Sequence, residues 1–318
     1  MKPLLPTLLC SLLLIGAVSA PTAAADFWLD LVDGEETTTD AVLTDLATAG
    51  VVYVGEAHTI ARHHAVQLQL FQSLTARGVP LVLCLEQLDA RDQPTIDRYN
   101  RGELGFDAFA TANNWTKKWK NFADYRPLLE FAHAHQSPVR GVNAPAEVIR
   151  AVSRGGGLAK LPADQRALLA EQIVTDDPVY ERQMNLSLAV HMALDPAKLR
   201  PVFEAQVARD ETMAANIVAA RRVGAPAETP RTAFVLVGAG HVRHGLGTAD
   251  RVRRREPGIV ERIVLATESG QLVLTESDKA ASRQISISHG QLRETGRPPG
   301  DYLYVLPLAA APKATAKP

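Results

Sequence analysis

The chain has 318 residues, of which 46% are hydrophobic, 22% charged and 5% aromatic, and this composition indicates a globular protein with an ample core rather than a disordered one. Its formal net charge of −1 argues against the strongly basic surface of a nucleic-acid-binding protein. After the N-terminal leader, no apolar run approaches the roughly 20 residues that a membrane-spanning helix needs.

The first 25 residues have the three parts of a secretory signal peptide. Lys2 provides the basic start, a largely apolar run covers Leu4 to Val18, and small residues follow through Ala25. We expect cleavage after Ala25 and an exported mature protein. A lipoprotein anchored through Cys10, associated with the outer membrane, is the less favoured alternative, because two leucines precede this cysteine where a lipoprotein signal has a small residue.

After the leader, short apolar runs alternate with stretches of helical spacing. The apolar runs predict buried strands, and the recurrence of apolar residues every three or four positions predicts amphipathic helices. The predicted strands cover 51–54, 79–85 and 138–142, and the predicted helices cover 39–49, 63–77, 94–99 and 125–135. This alternation predicts an α/β fold, with a mostly parallel central sheet flanked by helices.

From residue 146 to about residue 223 four helical patterns follow one another without a strand, at 147–153, 163–173, 179–192 and 201–222. We therefore predict a helical subdomain inserted into an α/β domain that covers residues 26–306. Further strands are predicted at 232–237, 259–266, 271–274 and 302–306. Residues 307–318, rich in alanine with proline and lysine, are predicted to be disordered.

Polar side chains stand where four of these strands end. They are Glu56 with His58, Glu86, Asn143 and His241. The carboxyl ends of parallel strands share one edge of a sheet, where α/β proteins bind ligands, so we expect these side chains to converge. Imidazole and carboxylate together suit a divalent metal, and they also suit acid and base roles on a bound water.

Two further polar residues are candidates for the same site. His64 begins the helix after the first strand, where a neutral imidazole can accept a hydrogen bond or bind metal. Asp210 interrupts an apolar stripe on the helix 201–222, with Gln206 one turn before it. A buried carboxylate needs a partner, and both a structural hydrogen bond and a role in the site remain open.

The helix 179–192 carries a second kind of candidate. Tyr180, Met184 and His191 lie on one face, which fits a core stripe and also fits a haem-binding face. The pattern alone does not separate these two interpretations. A basic run, Arg251 with Arg253 to Arg255, is interpreted as a solvated helix face.

Six motifs together resemble the ChaN family of haem-binding uptake proteins. They are G-E-A-H-x5-H at 55–64, L-V-L-C-L-E-Q at 81–87, G-V-N-A-P at 141–145, F-E-A-Q-x3-D-x2-M-A at 203–214, G-A-G-H at 238–241 and D-Y-L-Y-V at 301–305. They occur in order from about residue 50 to 306. Two departures from the family are the poor lipoprotein signal and Ala239, which stands where the last motif usually has asparagine.

The resemblance implies an exported bacterial protein of the periplasm that binds haem and takes part in iron uptake, with an outer-membrane haem receptor or a haem transporter as partner. Family members use a tyrosine to bind the haem iron and stack two haems face to face across a homodimer. Tyr180 is the best match for this tyrosine and Tyr125 the second, while Met184 and His191 would complete the haem face.

The wider superfamily, which includes Tiki-type metalloproteases and erythromycin esterases, implies an alternative. The set Glu56, His58, Glu86 and His241 looks like the catalytic centre of these hydrolases, which act through a metal or a histidine base. His64 and Asp210 are further candidate metal ligands. The alternative function is therefore an esterase or protease that uses the strand-end site.

Overall fold

The computed structural model of the protein describes residues 26–191, 196–226, 229–267 and 296–306, without the side chains of residues 186–198. The predicted signal peptide, the predicted strand at 271–274 and the predicted disordered tail at 307–318 lie outside the described residues. Within the described part of the chain, no helix is both long and apolar enough to cross a membrane.

One mixed sheet organises the described residues. Its eight strands are β1 Phe27–Asp30, β2 Glu35–Thr37, β3 Val51–Glu56, β4 Leu81–Asp89, β5 Val139–Asn143, β6 Thr232–Gly238, β7 Glu261–Ala266 and β8 Tyr302–Val305. They lie in the order β2-β1-β8-β7-β3-β6-β4-β5. The strands from β8 to β5 run parallel, and only β1 and β2 are antiparallel to their neighbours. The predicted α/β fold with a mostly parallel sheet is confirmed.

Helices cover both faces of the sheet. The helices that lie between β2 and β5 in the sequence are α1 Thr39–Leu46, α2 Ala61–Ala76, α3 Gln93–Asn100, α4 Phe106–Ala112, α5 Trp115–Lys118 and α6 Arg126–Ala134. After β5 come α7 Ala146–Gly155, α8 Ala163–Arg166, α9 Pro178–His191 and α10 Pro196–Ala220, and α11 Thr248–Arg255 follows β6.

Alternate residues of each strand enter two different cores, as the period of two in a strand requires. Val52 and Val54 of β3 pack in the core formed with α1 to α6. Val51 and Tyr53 pack in the core formed with α10 and α11. The central strands are therefore buried on both faces, which explains their nearly continuous apolar sequence.

One predicted helix is much shorter than expected. The pattern at 163–173 predicts a helix of three turns, but α8 ends at Arg166. Beyond it, side chains of α10 replace the helical acceptors, since Ala170 N donates to Thr212 Oγ1 at 3.0 Å and Val174 N to Glu211 Oε1 at 3.1 Å. Packing against α10 thus determines the path of this segment.

Candidate functional site

Three neighbouring parallel strands bring the predicted site residues to one edge of the sheet. Glu56 is the last residue of β3 and lies beside Gly238, the last residue of β6. His241 follows Gly238 by three residues, in a short 3₁₀ turn. On the other side of β6, β4 separates from its neighbour after Leu85, so Glu86 reaches the same edge although β4 continues to Asp89.

Glu56 is the centre of the first hydrogen-bonded group. Its Oε1 atom accepts hydrogen bonds from Tyr125 Oη at 2.5 Å, His58 Nδ1 at 2.7 Å and Gln87 Nε2 at 2.9 Å. Its Oε2 atom accepts one from Gln67 Nε2 at 2.5 Å. Burial raises the pKa of this carboxyl, but the donors, His58 and Gln67 first, outweigh burial and lower the pKa, so Glu56 is held as a carboxylate.

His58 uses one ring nitrogen in this group and leaves the other open. Its Nδ1 atom bonds to Glu56, and its Nε2 atom has no hydrogen-bond partner among the described residues. The side chain is 35% exposed, and its ring meets the edge of Trp119 at 4.9 Å between centroids. Burial lowers the pKa of His58, whereas the hydrogen bond to Glu56 and the charge of Glu86 raise it, and the net shift is upward.

His64 has a supporting position behind His58. Its Nδ1 atom lies 3.0 Å from Gln67 Oε1, and its Nε2 atom lies 3.0 Å from the carbonyl oxygen of His58. The ring also packs against Tyr125, at 4.5 Å between centroids. Because both ring nitrogens are engaged within the protein, His64 holds the turn that carries His58.

Asp210 is the centre of the second group. This fully buried residue of α10 accepts hydrogen bonds from His241 Nδ1 at 2.6 Å and Thr248 Oγ1 at 2.8 Å, both at Oδ1, and from Tyr180 Oη at 2.7 Å at Oδ2. The side-chain amide of Gln206 lies beside it, with Nε2 at 3.3 Å from Tyr180 Oη and 2.9 Å from His241 Nδ1. Asp210 can therefore stand among the apolar residues of α10, because three hydrogen-bond donors satisfy its buried carboxylate.

His241 connects this group to Glu86. Its Nε2 atom lies 3.3 Å from Glu86 Oε1, while Glu86 Oε2 accepts a hydrogen bond from the Gly238 amide at 2.7 Å. Burial lowers the pKa of His241, but the charges of Glu86 and Asp210 outweigh this and raise it to about 10. The His241 cation in turn leads the charges that lower the pKa of Glu86 against the effect of burial. The two residues form a buried ion pair.

The predicted metal centre is not supported. Within the described part of the chain, no group of three or more histidine, cysteine, aspartate or glutamate side chains is arranged to hold a metal ion. The physical reason is that the carboxylate oxygens already accept hydrogen bonds from nearby donors. The metal prediction named Glu56, His58, Glu86, His241, His64 and Asp210, and the structure places these residues in hydrogen-bonded pairs instead.

A cavity of about 560 Å³ lies over this edge of the sheet, between it and the helices α9 and α10. Tyr180 and Met184 line the cavity on the side of α9, and His58 and His241 line it on the side of the strands. Tyr125 is not among the residues that line it and is buried beside Glu56. The predicted haem-face residue His191 ends α9, but its side chain is outside the described part of the structure.

Both candidate tyrosines are held as neutral phenols. Burial first, and then the charge and hydrogen bond of Asp210, raise the pKa of Tyr180 well above its ordinary value. Burial and Glu56 do the same to the pKa of Tyr125. The difference between the two residues is therefore their access to the cavity, not their protonation.

Several residues of the site were missed in the sequence. Gln67, Gln87, Thr248 and Arg209 were not predicted, although Arg209 Nη1 lies 3.9 Å from Glu86 Oε1. For Gln67 a signal was present, because it lies three residues after His64 on a helix whose neighbouring positions, Val66 and Leu70, are apolar. Asp210 was identified as a candidate from the same signal, a polar residue among apolar positions of a helix.

The fold and the site together define a class: an α/β protein with a carboxylate and imidazole site at the carboxyl ends of parallel strands, covered by helices that follow β5. The family model of the haem-binding uptake proteins, Tiki superfamily, ChaN, matches residues 42–252. The chain belongs to this family.

One solved structure, a ChaN protein, supports this fold. ChaN of Campylobacter jejuni, solved with cofacial haem, is 18% identical, with a TM-score of 0.62 over 88% of this chain and 96% of that one. The erythromycin esterase EreC is 11% identical over 91% and 100% of the two chains, with a TM-score of 0.47. The type III effector HopBA1 is 14% identical over 85% and 93%, with a TM-score of 0.41. No curated protein sequence matches the chain significantly.

Proposed function

We propose that this protein is an exported haem-binding protein that takes part in haem and iron uptake, and that haem binds in the cavity over the strand ends. Membership of a haem-binding uptake family supports this function. The observation that carries the choice of site is the cavity of about 560 Å³ that Tyr180 and Met184 line. Its volume lies within the roughly 300 to 1,000 Å³ common for cofactor sites.

The chemistry of the lining suits haem. Met184, Val202 and Pro299 supply apolar surface for a flat macrocycle, and Arg243 supplies a positive charge for carboxylates at its edge. A phenolate is an established axial ligand of haem iron. The residues present therefore fit the cofactor that the family implies.

Tyr180 is the residue we assign as the iron ligand, because it lines the cavity whereas Tyr125 does not. To act as a phenolate, Tyr180 must lose its proton against a raised pKa. Asp210 already accepts the hydrogen bond of the phenol at 2.7 Å and is the nearest base for this proton.

Titration with haemin, followed by visible absorption, tests the assignment. We expect a stoichiometric complex with the spectrum of a tyrosine-bound ferric haem, and we expect Tyr180→Phe to abolish that spectrum. Tyr125→Phe is the matched control, since it too removes a buried phenol that donates to a carboxylate. Normal haem binding by Tyr180→Phe together with loss in Tyr125→Phe would reverse the assignment, and no uptake by the unmodified protein would refute haem binding.

We extend the proposal to a homodimer with stacked haems, supported by the cofacial haem of the Campylobacter protein. Sedimentation of the protein with and without haemin tests this, and a mass of one chain in the presence of haemin would contradict it.

Export to the periplasm, and an outer-membrane haem receptor or haem transporter as partner, complete the proposed role. Fractionation of cells that express the full chain tests the location, and retention in the cytoplasm would contradict it.

A hydrolase is the second candidate. Membership of the haem-binding uptake family does not favour it, but one specific observation supports it. His58 is oriented by Glu56 at Nδ1 and presents an unbonded Nε2 atom beside the cavity, which is the arrangement of a general base. Ester and peptide substrates test this alternative, with His58→Ala as the variant that should lose any activity. Turnover that persists in His58→Ala would remove His58 as the base.

A further inference from the structure

Asp177, the residue before α9, connects the start of that helix to a buried cation. Its carbonyl oxygen accepts the first helical hydrogen bond, from Glu181 N at 2.9 Å, and its Oδ1 atom accepts one from Tyr180 N at 3.1 Å. This is the arrangement of an N-cap, and Pro178 follows at the first helical position, where proline is favoured. Asp177 therefore fixes where the backbone of Tyr180 lies.

The other carboxylate oxygen of Asp177 contacts Arg251. Asp177 Oδ2 lies 3.3 Å from Arg251 Nη2, and the Arg251 side chain is fully buried. The guanidinium of Arg251 also lies 5.1 Å from the centre of the Tyr180 ring, within the range of a cation–π interaction. One ion pair thus contacts Tyr180 twice, at its backbone N–H through Asp177 and at its ring through Arg251.

Two further contacts leave little room around the Tyr180 ring. The ring meets the ring of Phe203 edge-on, at 5.8 Å between centroids. A Cβ atom added at Gly247 would lie 3.0 Å from Tyr180 Oη, and the Gly247 carbonyl oxygen accepts a hydrogen bond from Arg251 Nη1 at 3.0 Å. A shift of the guanidinium would therefore be transmitted both to the face of the ring and to the backbone beside its hydroxyl.

Neither residue of the ion pair lines the cavity proposed for haem. Tyr180 does line it, and only 3% of this residue is exposed. Asp177 lies closer to the surface, with 19% of its side chain exposed. An effect of Asp177 on haem must therefore pass through Tyr180 rather than through a contact of its own.

We propose that Asp177 is a positioning residue for haem binding, which acts with Arg251 to set the direction in which Tyr180 presents its hydroxyl oxygen to the iron. This inference rests on the proposed function, since it requires Tyr180 as the iron ligand. The groups around an axial ligand tune the haem iron that it binds. Loss of the ion pair should therefore change the iron–oxygen bond, and not only the stability of the fold.

Haemin titration of Asp177→Asn, followed by visible absorption, tests the proposal. Asparagine keeps a capping oxygen, so the start of α9 is retained and only the charge that holds Arg251 is removed. We expect the phenolate-to-iron charge-transfer band of the saturated complex to be displaced from that of the unmodified protein. Haemin should also dissociate about fivefold faster, the effect of one partly exposed ion pair.

Asp176→Asn is the matched control. Asp176 is exposed and directly precedes Asp177, so this variant removes the same charge from the same segment, and it should keep the band and the dissociation rate of the unmodified protein. Asp177→Ala is the second variant. It removes the cap together with the ion pair, and haemin should dissociate from it about fivefold faster again.

The outcomes separate this proposal from the proposed function. A tyrosine-type spectrum whose band keeps its position in both Asp177 variants would overturn the role of Asp177, even if these variants unfold at lower urea concentrations. An equal displacement of the band in Asp176→Asn would also overturn it, because net charge rather than the pair with Arg251 would be the cause. No tyrosine-type spectrum in the unmodified protein would instead refute the proposed function.

Discussion

His241 Nδ1 lies 2.6 Å from Asp210 Oδ1, so a side chain that follows β6 is held by one in the middle of α10. Both residues are buried, and the hydroxyls of Tyr180 and Thr248 donate to the same carboxylate. One buried charge thus connects the sheet with α9, α10 and α11. The stability of the protein and the shape of the proposed haem cavity should therefore depend on the same residue.

Asp210→Asn should lower the free energy of unfolding by about 3 kcal/mol, because it leaves the His241 cation without one of its two buried partners. Asparagine would also turn an amide N–H group towards at least one of the three groups that donate hydrogen bonds to Asp210. Urea unfolding measures the effect. Asp164→Asn is the control, since Asp164 is exposed on α8. Equal unfolding midpoints for the two variants would show that the Asp210 charge contributes no stability.

The pH dependence of stability should reveal His241. The pKa of His241 in the folded protein is about 10, above the value of about 6.5 for an unfolded chain. Folding therefore favours the protonated ring, and this stabilisation is complete below about pH 6.5 and is lost as the pH rises towards 10. The magnitude is on the order of a few kcal/mol.

The measurement is the difference in unfolding free energy between the unmodified protein and His241→Gln, taken at several pH values. Other titrating groups largely cancel in this difference. It should shrink between about pH 6.5 and 10. A constant difference across this window would show that the pKa of His241 is not raised by folding.

The parallel sheet could be predicted because its signals are local. Apolar runs such as that of β3 end in glycine or polar residues, and the helices between them have a clear apolar stripe. The convergence of Glu56, Glu86 and His241 followed from this parallel arrangement alone. Their exact pairing did not, because hydrogen bonds such as Tyr125 to Glu56 join residues 69 positions apart.

The two strands β1 and β2 and the burial of Arg251 were not predicted, because each depends on partners that are distant in the sequence. β1 and β2 have only four and three residues, and β1 pairs with β8 near the other end of the described chain. Arg251 was wrongly interpreted as part of a solvated helix face, whereas it is fully buried. Its Nη2 atom lies 3.3 Å from Asp177 Oδ2, and its Nε atom lies 3.5 Å from Glu211 Oε1. The partners that make burial of this cation possible lie 40 or more residues away.

Arg251→Met should destabilise the protein by about 3 kcal/mol, since it removes one partner from a buried ion pair. It should also weaken haemin binding, because the guanidinium of Arg251 lies 5.1 Å from the centre of the Tyr180 ring. Urea unfolding and haemin titration measure the two effects. Arg222→Met, at an exposed residue just after α10, is the control. A loss of stability no greater than that of the control would contradict the structural role of Arg251.

Gly238 and Gly240 provide a matched pair for testing how His58 is positioned. A Cβ atom added at Gly238 would lie 3.0 Å from Cε1 and Nε2 of His58 and 3.5 Å from Glu86 Oε2. At Gly240, in the same turn, an added Cβ atom would meet no atom within 4 Å. Gly238→Ala should therefore push the His58 ring away from its position, whereas Gly240→Ala should not.

We expect Gly238→Ala to cost about 1 to 2 kcal/mol of stability through overpacking and to weaken haemin binding, because the His58 ring lines the proposed haem cavity. The pKa of His58 should also fall, since its raised value depends on the hydrogen bond to Glu56. Haemin titration and the NMR titration of the His58 ring measure these effects. If Gly240→Ala gave the same changes, close packing at Gly238 would not be what holds His58 in place.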